Sequence, residues 1–314
     1  MKRFREWWRR GWKVPDYHWV ELLIMRIGLA AVAWISLVGD STFLLHEGQP
    51  HPQGIAHWIP LSWLSDAATY GVVKWIFIGA LVVYVSGQLS RIALPVATLI
   101  HVLVHTLHNS QGATHHHAQI VSLVLLAQCL THWWPSLWSL FQRLKGSDRV
   151  SGWVWSQGRR VEQWAVWFSL QAIAATYLLA ALSKLIKSKG IWAFQSHNIV
   201  VEMVKTHWQN FYSRLEHSTD PEALARMNFL LDHPNAARLI LGGGLALELF
   251  AFLMLYNRAT ALVGGLLLIS MHLGIGFLMK LHFPHNEQLL LLFAVNLPFW
   301  LFFVWWRRDR VPSS

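Results

Sequence analysis

Residues 20–38 are almost continuously apolar, and comparable runs recur near 70–87, 91–109, 117–136, 161–186, 236–256, 259–281 and 286–306. Each is close to the roughly 20 residues that a helix needs to cross a bilayer. The pattern predicts an all-α integral membrane protein with about eight transmembrane helices. It divides the chain into a cytoplasmic interfacial segment (1–16), one transmembrane domain (17–306) and a cytoplasmic tail (307–314). The opening MKRFREWWRRGWK is basic and rich in Trp, as suits a helix lying on a membrane surface. A cleaved secretory signal would share the basic start. The run over 20–38 exceeds the usual signal core of about 7–15 residues, so it reads as a first span.

One region breaks the pattern. Within 190–234, HNIVVEMVKTHWQNFYSRL places Ile199, Val200, Met203, Trp208 and Phe211 at near-helical intervals. The following DPEALARMNFLLDHP opens with an Asp-Pro-Glu helix start. Glu202, Lys205, His207 and Arg214 argue against a further span, because ionisable groups in hydrocarbon are costly. Two amphipathic helices on the outer surface, roofing an outward-facing site, are expected here.

Charge then assigns sides. Residues 40–69 and 108–117 contain no Lys or Arg, whereas Arg143, Lys145, Arg149, Arg159 and Arg160 crowd one connection. Arg307, Arg308 and Arg310 follow the last run. The positive-inside rule puts both termini in the cytoplasm, which an even number of spans requires. A multi-pass plasma (inner) membrane protein results, with its site on the periplasmic or extracellular side.

Composition agrees: 54% of residues are hydrophobic and 13% charged, against about 25% charged in soluble domains. The 20 Trp suit aromatic belts at two interfaces. The net charge of +10 sits in blocks beside spans, where it sets topology and meets anionic lipid. The expected partner is therefore the lipid bilayer and not nucleic acid. The single Cys129 excludes an internal disulfide and a thiolate metal cluster, and reads as a buried, inert thiol.

Candidate chemistry centres on 176–192, TYLLAALSKLIKSKGIW. Tyr177 and Lys184 lie seven apart and share a helix face, with Lys184 the deepest of three lysines. A lysine at this depth can snorkel to water as an anchor. Deprived of hydration, it can instead give up its proton and serve as a base. Histidine is frequent, at 18 residues, and concentrates on the outer side. His101, His105 and His108 step by four and three along one face of the third span, and His115, His116 and His117 follow. Two such imidazoles, His105 and His108, could share zinc, copper or iron. Alternatively they hydrogen-bond between helices or line a watery cavity. Glu248, after the Gly242–Gly244 run, must find a partner within the membrane, with Arg26 or a histidine available. The glycines themselves allow close helix packing. No GxSxG, Walker or GxGxxG sequence occurs, so acyl hydrolysis and nucleotide binding have no support.

The stretch from Tyr177 through Lys184 and Leu185, followed by Gly190 and Trp192, resembles the vitamin K-dependent gamma-carboxylase-like family. That family shares the multi-span module called the horizontally transferred transmembrane (HTTM) domain. Asn109-Ser-Gln-Gly112 and Met271-His272-Leu-Gly-Ile-Gly276 are also similar to it, and the resemblance covers about 17–306. It implies that Lys184 is the base that starts oxygenation of a vitamin K-type hydroquinone. The oxygenated quinol then deprotonates a substrate glutamate, and carbon dioxide adds. Tyr177, His105 and His272 join Lys184 as candidate catalytic residues, and Trp192 and Glu248 as candidate cofactor-binding ones. Lys184 and Trp192 stand further apart here than in the carboxylases, and the motif does not call for the outer histidines. Stand-alone bacterial members are closer in length, some of them linked to maturation of secreted toxin peptides. Two other readings remain open: a non-catalytic maturation or immunity factor that binds a secreted peptide, and a proton- or ion-coupled transporter. A transporter should show broken helices in an inverted repeat, which the sequence does not display.

The charge asymmetry makes a direct prediction. Reporter fusions after Gly112 and after Glu216 should read outside, and one after Lys145 inside. An inside signal at Gly112 contradicts the topology.

Overall fold

The computed structural model describes residues 11–38, 50–111, 116–145, 158–214, 221–279 and 281–308. His46, His115, Arg149, the tail from residue 309 and most of the interfacial segment lie outside the described residues. Among those described, all regular structure is helical. The principal helices are α1 (Trp19–Val38), α2 (Ala67–Val85), α3 (Ser90–Asn109), α4 (His116–Leu144) and α5 (Gly158–Lys187). They are followed by α6 (Ile199–Arg214), α7 (Pro221–Asp232), α8 (Pro234–Leu249), α9 (Arg258–Met279), α10 (Pro284–Leu289) and α11 (Leu297–Arg308).

Six of these, α1 to α5 and α9, are long and apolar enough to cross a membrane. Their outward faces expose apolar side chains such as Trp75, Val82, Ile92 and Leu179. Apolar surface on that scale suits hydrocarbon and not water. The chain is thus a helical multi-pass membrane protein. The two other expected runs, 236–256 and 286–306, form helices that are interrupted. After Leu249, Phe250 leaves the α conformation and Ala251–Leu255 tightens to a 3-10 turn. After α10, Leu290–Val295 widens to a π turn, and Asn296 adopts φ 48° and ψ 58°. Pro298 accounts for the second break, since it lacks an N–H and crowds the carbonyl four residues earlier. Asn tolerates the left-handed conformation at the break better than most side chains.

Local signals set the helix ends. Asp66 caps α2, its Oδ2 accepting from Thr69 N (2.8 Å) and Thr69 Oγ1 (2.7 Å). Those bonds hold the Asp66 carboxyl below its ordinary range. Asn257 and Thr260 cap α9 reciprocally, at 2.9 and 3.0 Å. At the end of α5, Lys189 and Gly190 take φ of 55° and 85°. This left-handed pair reverses the chain and lets Gly190 N bond back to Leu185 O at 2.8 Å.

The main core runs through α1 to α5, α9 and α10, with Leu29, Phe77, Leu94, Leu125 and Ile173 wholly enclosed. α6 and α7 form the expected amphipathic pair, with Val200, Met203, Met227 and Leu230 in a separate small cluster. The buried face of α6 is shorter than its sequence suggested, because Trp208 is exposed.

Near the starts of α1 and α9, one buried carboxylate ties three segments together. Glu21 accepts from Arg258 Nη1 (2.7 Å), Asn296 Nδ2 (2.9 Å) and His18 N (2.9 Å). Arg258 also lies over the Phe299 ring, 3.8 Å from its centroid. Arg26 pairs with Glu162 nearby, joining α1 to α5. Removing one member of a buried pair strands the other charge. Glu21→Ala should therefore destabilise the protein by about 3 kcal/mol, and Glu21→Gln by less. Thermal unfolding in detergent or nanodiscs measures both, and an unchanged midpoint for Glu21→Ala contradicts the role of this node.

Candidate functional site

α5 is 30 residues long, so its last turn carries Lys184 well past the core that surrounds Ile173. Cβ vectors in a helix lean toward its N-terminus, and Lys184 therefore reaches back along α5 toward the level of Tyr177. Its ammonium meets Glu248 at the end of α8, with Nζ 2.7 Å from Oε1 and 2.5 Å from Oε2. The two side chains are 35% and 11% exposed, so the pair sits at a partly enclosed edge. The left-handed turn at Gly190 folds Trp192 back over the same ammonium, 5.4 Å from the ring centroid. Lys187 and Lys189 are exposed.

This placement corrects one expectation. The partner of Glu248 is neither Arg26 nor a histidine but Lys184, and Arg26 is engaged by Glu162.

One turn-pair below Lys184, Tyr177 is buried and bonded at its hydroxyl to two residues. His272 Nε2, from α9, lies 2.7 Å away, and Asn286 Nδ2, from α10, donates at 3.3 Å. His272 also packs against Phe283. Both the Lys184–Glu248 pair and the Tyr177–His272–Asn286 group line one cavity of about 1160 Å³. Its walls are otherwise mainly apolar, contributed by α4, α5, α8 and α9, with Ile199, Met203 and Leu230 from the amphipathic pair. Gly243 and Gly244 form part of the wall, and a Cβ at Gly243 would meet nothing within 4 Å. At Gly243 the missing side chain leaves open space and makes no close helix contact.

His105 and His108 are elsewhere. They line no part of this cavity and belong to a buried group between α1, α3 and α4. His101 is fully enclosed, with Nε2 3.1 Å from Ser36 Oγ and Nδ1 2.8 Å from Ser122 Oγ. His105 Nε2 is 3.2 Å from the same Ser36 hydroxyl. The His105 and His108 ring centroids are 6.4 Å apart. Among the described residues no three His, Cys, Asp or Glu side chains are grouped to hold a metal ion. The arrangement of His101 and His105 is that of interhelical hydrogen bonding.

Of the residues singled out in the sequence, the structure thus gathers Lys184, Tyr177, His272, Trp192 and Glu248 into one cavity, and sets His105 and His108 apart. Asn286 escaped the sequence reading. Its only signal there is a polar residue beside His285 at the start of the last apolar run.

No protein-family model, curated protein or solved structure matches this chain.

Proposed function

We propose that the chain is an HTTM-type membrane enzyme with carboxylase-like chemistry, acting on a quinol or an exported peptide. The eight-span count belongs to this reading, with the two interrupted segments as the seventh and eighth crossings. So do cytoplasmic termini in a plasma (inner) membrane and a cavity on the outer side. The observation that carries it is the meeting of an ion pair and a Tyr–His pair in one apolar cavity. Acid–base groups gathered in a partly enclosed apolar site form a reaction chamber more naturally than a structural core.

A vitamin K-type hydroquinone fits what is present. Ligand pockets typically measure about 300–1,000 Å³, so this cavity admits an aromatic ring with part of an apolar chain. Two buried polar atoms on its lining residues, His272 Nδ1 and Asn286 Oδ1, lack hydrogen-bond partners. When bound, such a group supplies the reducing power and, with oxygen, the strong base that the carboxylation requires. The protein's own residues bind and move protons. Trp192, Tyr177 and His272 would hold the ring, and Trp192 covers the ammonium. In the ion pair Lys184 holds a proton and Glu248 carries the lone pairs. For the amine to act, Glu248 takes a proton from Lys184 within the pair, and the freed amine accepts the next. The base is the pair rather than Lys184 alone.

The transporter reading has one observation in its favour, the interruption at Phe250 two residues after Glu248, since carriers use broken helices beside their sites. One assay separates them. Membranes containing the protein are given reduced vitamin K, oxygen, labelled bicarbonate and a Glu-containing peptide. The proposal expects label in the peptide, with Lys184→Arg and Glu248→Gln each about 10²–10⁴-fold slower while folded protein persists. Arg keeps the charge but cannot release its proton. Lys187→Ala should be mild. Absence of both quinol consumption and labelling by the wild-type protein sinks the carboxylase-like reading, and activity retained by Lys184→Arg sinks the proton-transfer role.

A further inference from the structure

Leu123, Leu179 and Ile240 line the cavity yet remain 43%, 64% and 46% exposed. Each adjoins an apolar stripe on the outside of the bundle. Leu123 continues into Leu126 and Leu130 along α4, and Leu179 into Leu182 and Ile186 along α5. Ile240 sits beside the exposed Leu239. These three residues form a lip where the cavity meets hydrocarbon. Inside it, Gly243 and Gly274 line the wall, and a Cβ on either would stand in open space. Met203 and Leu230, from the amphipathic α6 and α7, lie over the cavity. Helices of that kind rest at the boundary between head groups and acyl chains, so they mark its level. Trp192, just ahead of α6, brings the Lys184 ammonium to the same end.

A hydrocarbon chain gains little in passing from bilayer to protein, because both are equally apolar. The chain thus accounts for access and fit, and the polar end of the ligand must supply selectivity. Lys184 offers the means. An ammonium has three N–H donors, and two serve the Glu248 carboxylate oxygens. Among the described residues no other oxygen or nitrogen takes the third. The pair is neutral as a whole, which favours a neutral acceptor over a second anion.

We propose that the cavity takes one acyl chain of a glycerolipid from the adjoining leaflet, with the ester carbonyl accepting a hydrogen bond from Lys184 Nζ. The chain passes the lip at Leu123, Leu179 and Ile240 and lies along Gly243 and Gly274. Glycerolipid esters sit at the boundary that α6 and α7 mark, which is the height of the ammonium. A free fatty acid would bring a second carboxylate beside Glu248, and a water-soluble peptide has no chain for the apolar walls. A chain-bearing quinol would use the same opening and displace the lipid. The inference rests on the same cavity as the reading above, but requires no turnover.

The test uses the full chain in nanodiscs doped with a phosphatidylcholine that carries a diazirine at the end of one acyl chain. After irradiation, adducts are mapped by mass spectrometry. Label is expected at Glu248 and Met271, which line the cavity off the outer stripes, and at Val72 and Ile76 on the outside of α2. An ether-linked probe with the same chain lacks the carbonyl and should label Glu248 and Met271 about threefold to tenfold less. Lys184→Met should remove that difference, and a phosphatidylglycerol probe should label no better than phosphatidylcholine. Gly243→Phe with Gly274→Phe fills the cavity and should lower labelling of Glu248 and Met271 about tenfold, leaving α2 unchanged. In the wild-type protein, label at Val72 and Ile76 but none at Glu248 and Met271 overturns the proposal without need of any variant. So does equal labelling of the cavity by ester and ether probes, or cavity label that persists in the filled variant. Failure of the carboxylase assay leaves these results unaffected, so the two readings fail separately.

Discussion

A charged side chain surrounded by hydrocarbon is costly, and translocon scales put a Lys or Asp at mid-span near 2.5–3.5 kcal/mol. The Lys184–Glu248 pair is where this chain meets that constraint in its cavity, and much of the local structure follows from it. α5 must be long enough to carry Lys184 past the core, and α8 must run far enough to bring Glu248 opposite. The left-handed turn at Lys189 and Gly190 then lays Trp192 over the ammonium. Glycine at 243 keeps the facing wall open, so the pair borders a cavity instead of a packed interface. Closing that wall with side chains would leave the same pair as a structural clasp.

Elsewhere in the bundle the ion pairs border only small cavities, of about 20 Å³ beside Arg258 and Asn296 and about 10 Å³ beside Arg26 and Glu162. Glu21, Arg258 and Asn296 satisfy one another, and aromatic rings of Tyr17 and Phe299 cover the guanidinium. The group holds the left-handed break in the last interrupted segment against α1. The contrast between the two ends is chemical. One has a saturated network, the other a pair facing open space beside two unsatisfied polar atoms.

The sequence made the helices legible because a bilayer-length apolar run is a strong signal, and all six long apolar helices fall on expected runs. Interruptions were harder to see. Pro298 lies at one, though 286–306 read as a single run, and nothing in GGGLALELFAFLML marks Phe250, where the turn tightens. Within the site, Tyr177 and Lys184 could be placed on one face from spacing alone. The pairing of Glu248 could not, since charge alone offers several partners. Periodicity could show the His101–His105–His108 stripe but not its neighbours, and Ser36 and Ser122 turned out to occupy the imidazoles.

The central claim is that Lys184 and Glu248 act as one unit within the cavity, and a double-mutant cycle tests it most directly. Unfolding free energies in nanodiscs are compared for wild type, Lys184→Met, Glu248→Gln and the double variant. Each single change strands a partner and should cost about 2 kcal/mol, while the double change should cost no more than either single, giving a coupling of at least about 2 kcal/mol. Additive losses, with coupling below about 0.5 kcal/mol, would contradict the pairing on which the account stands.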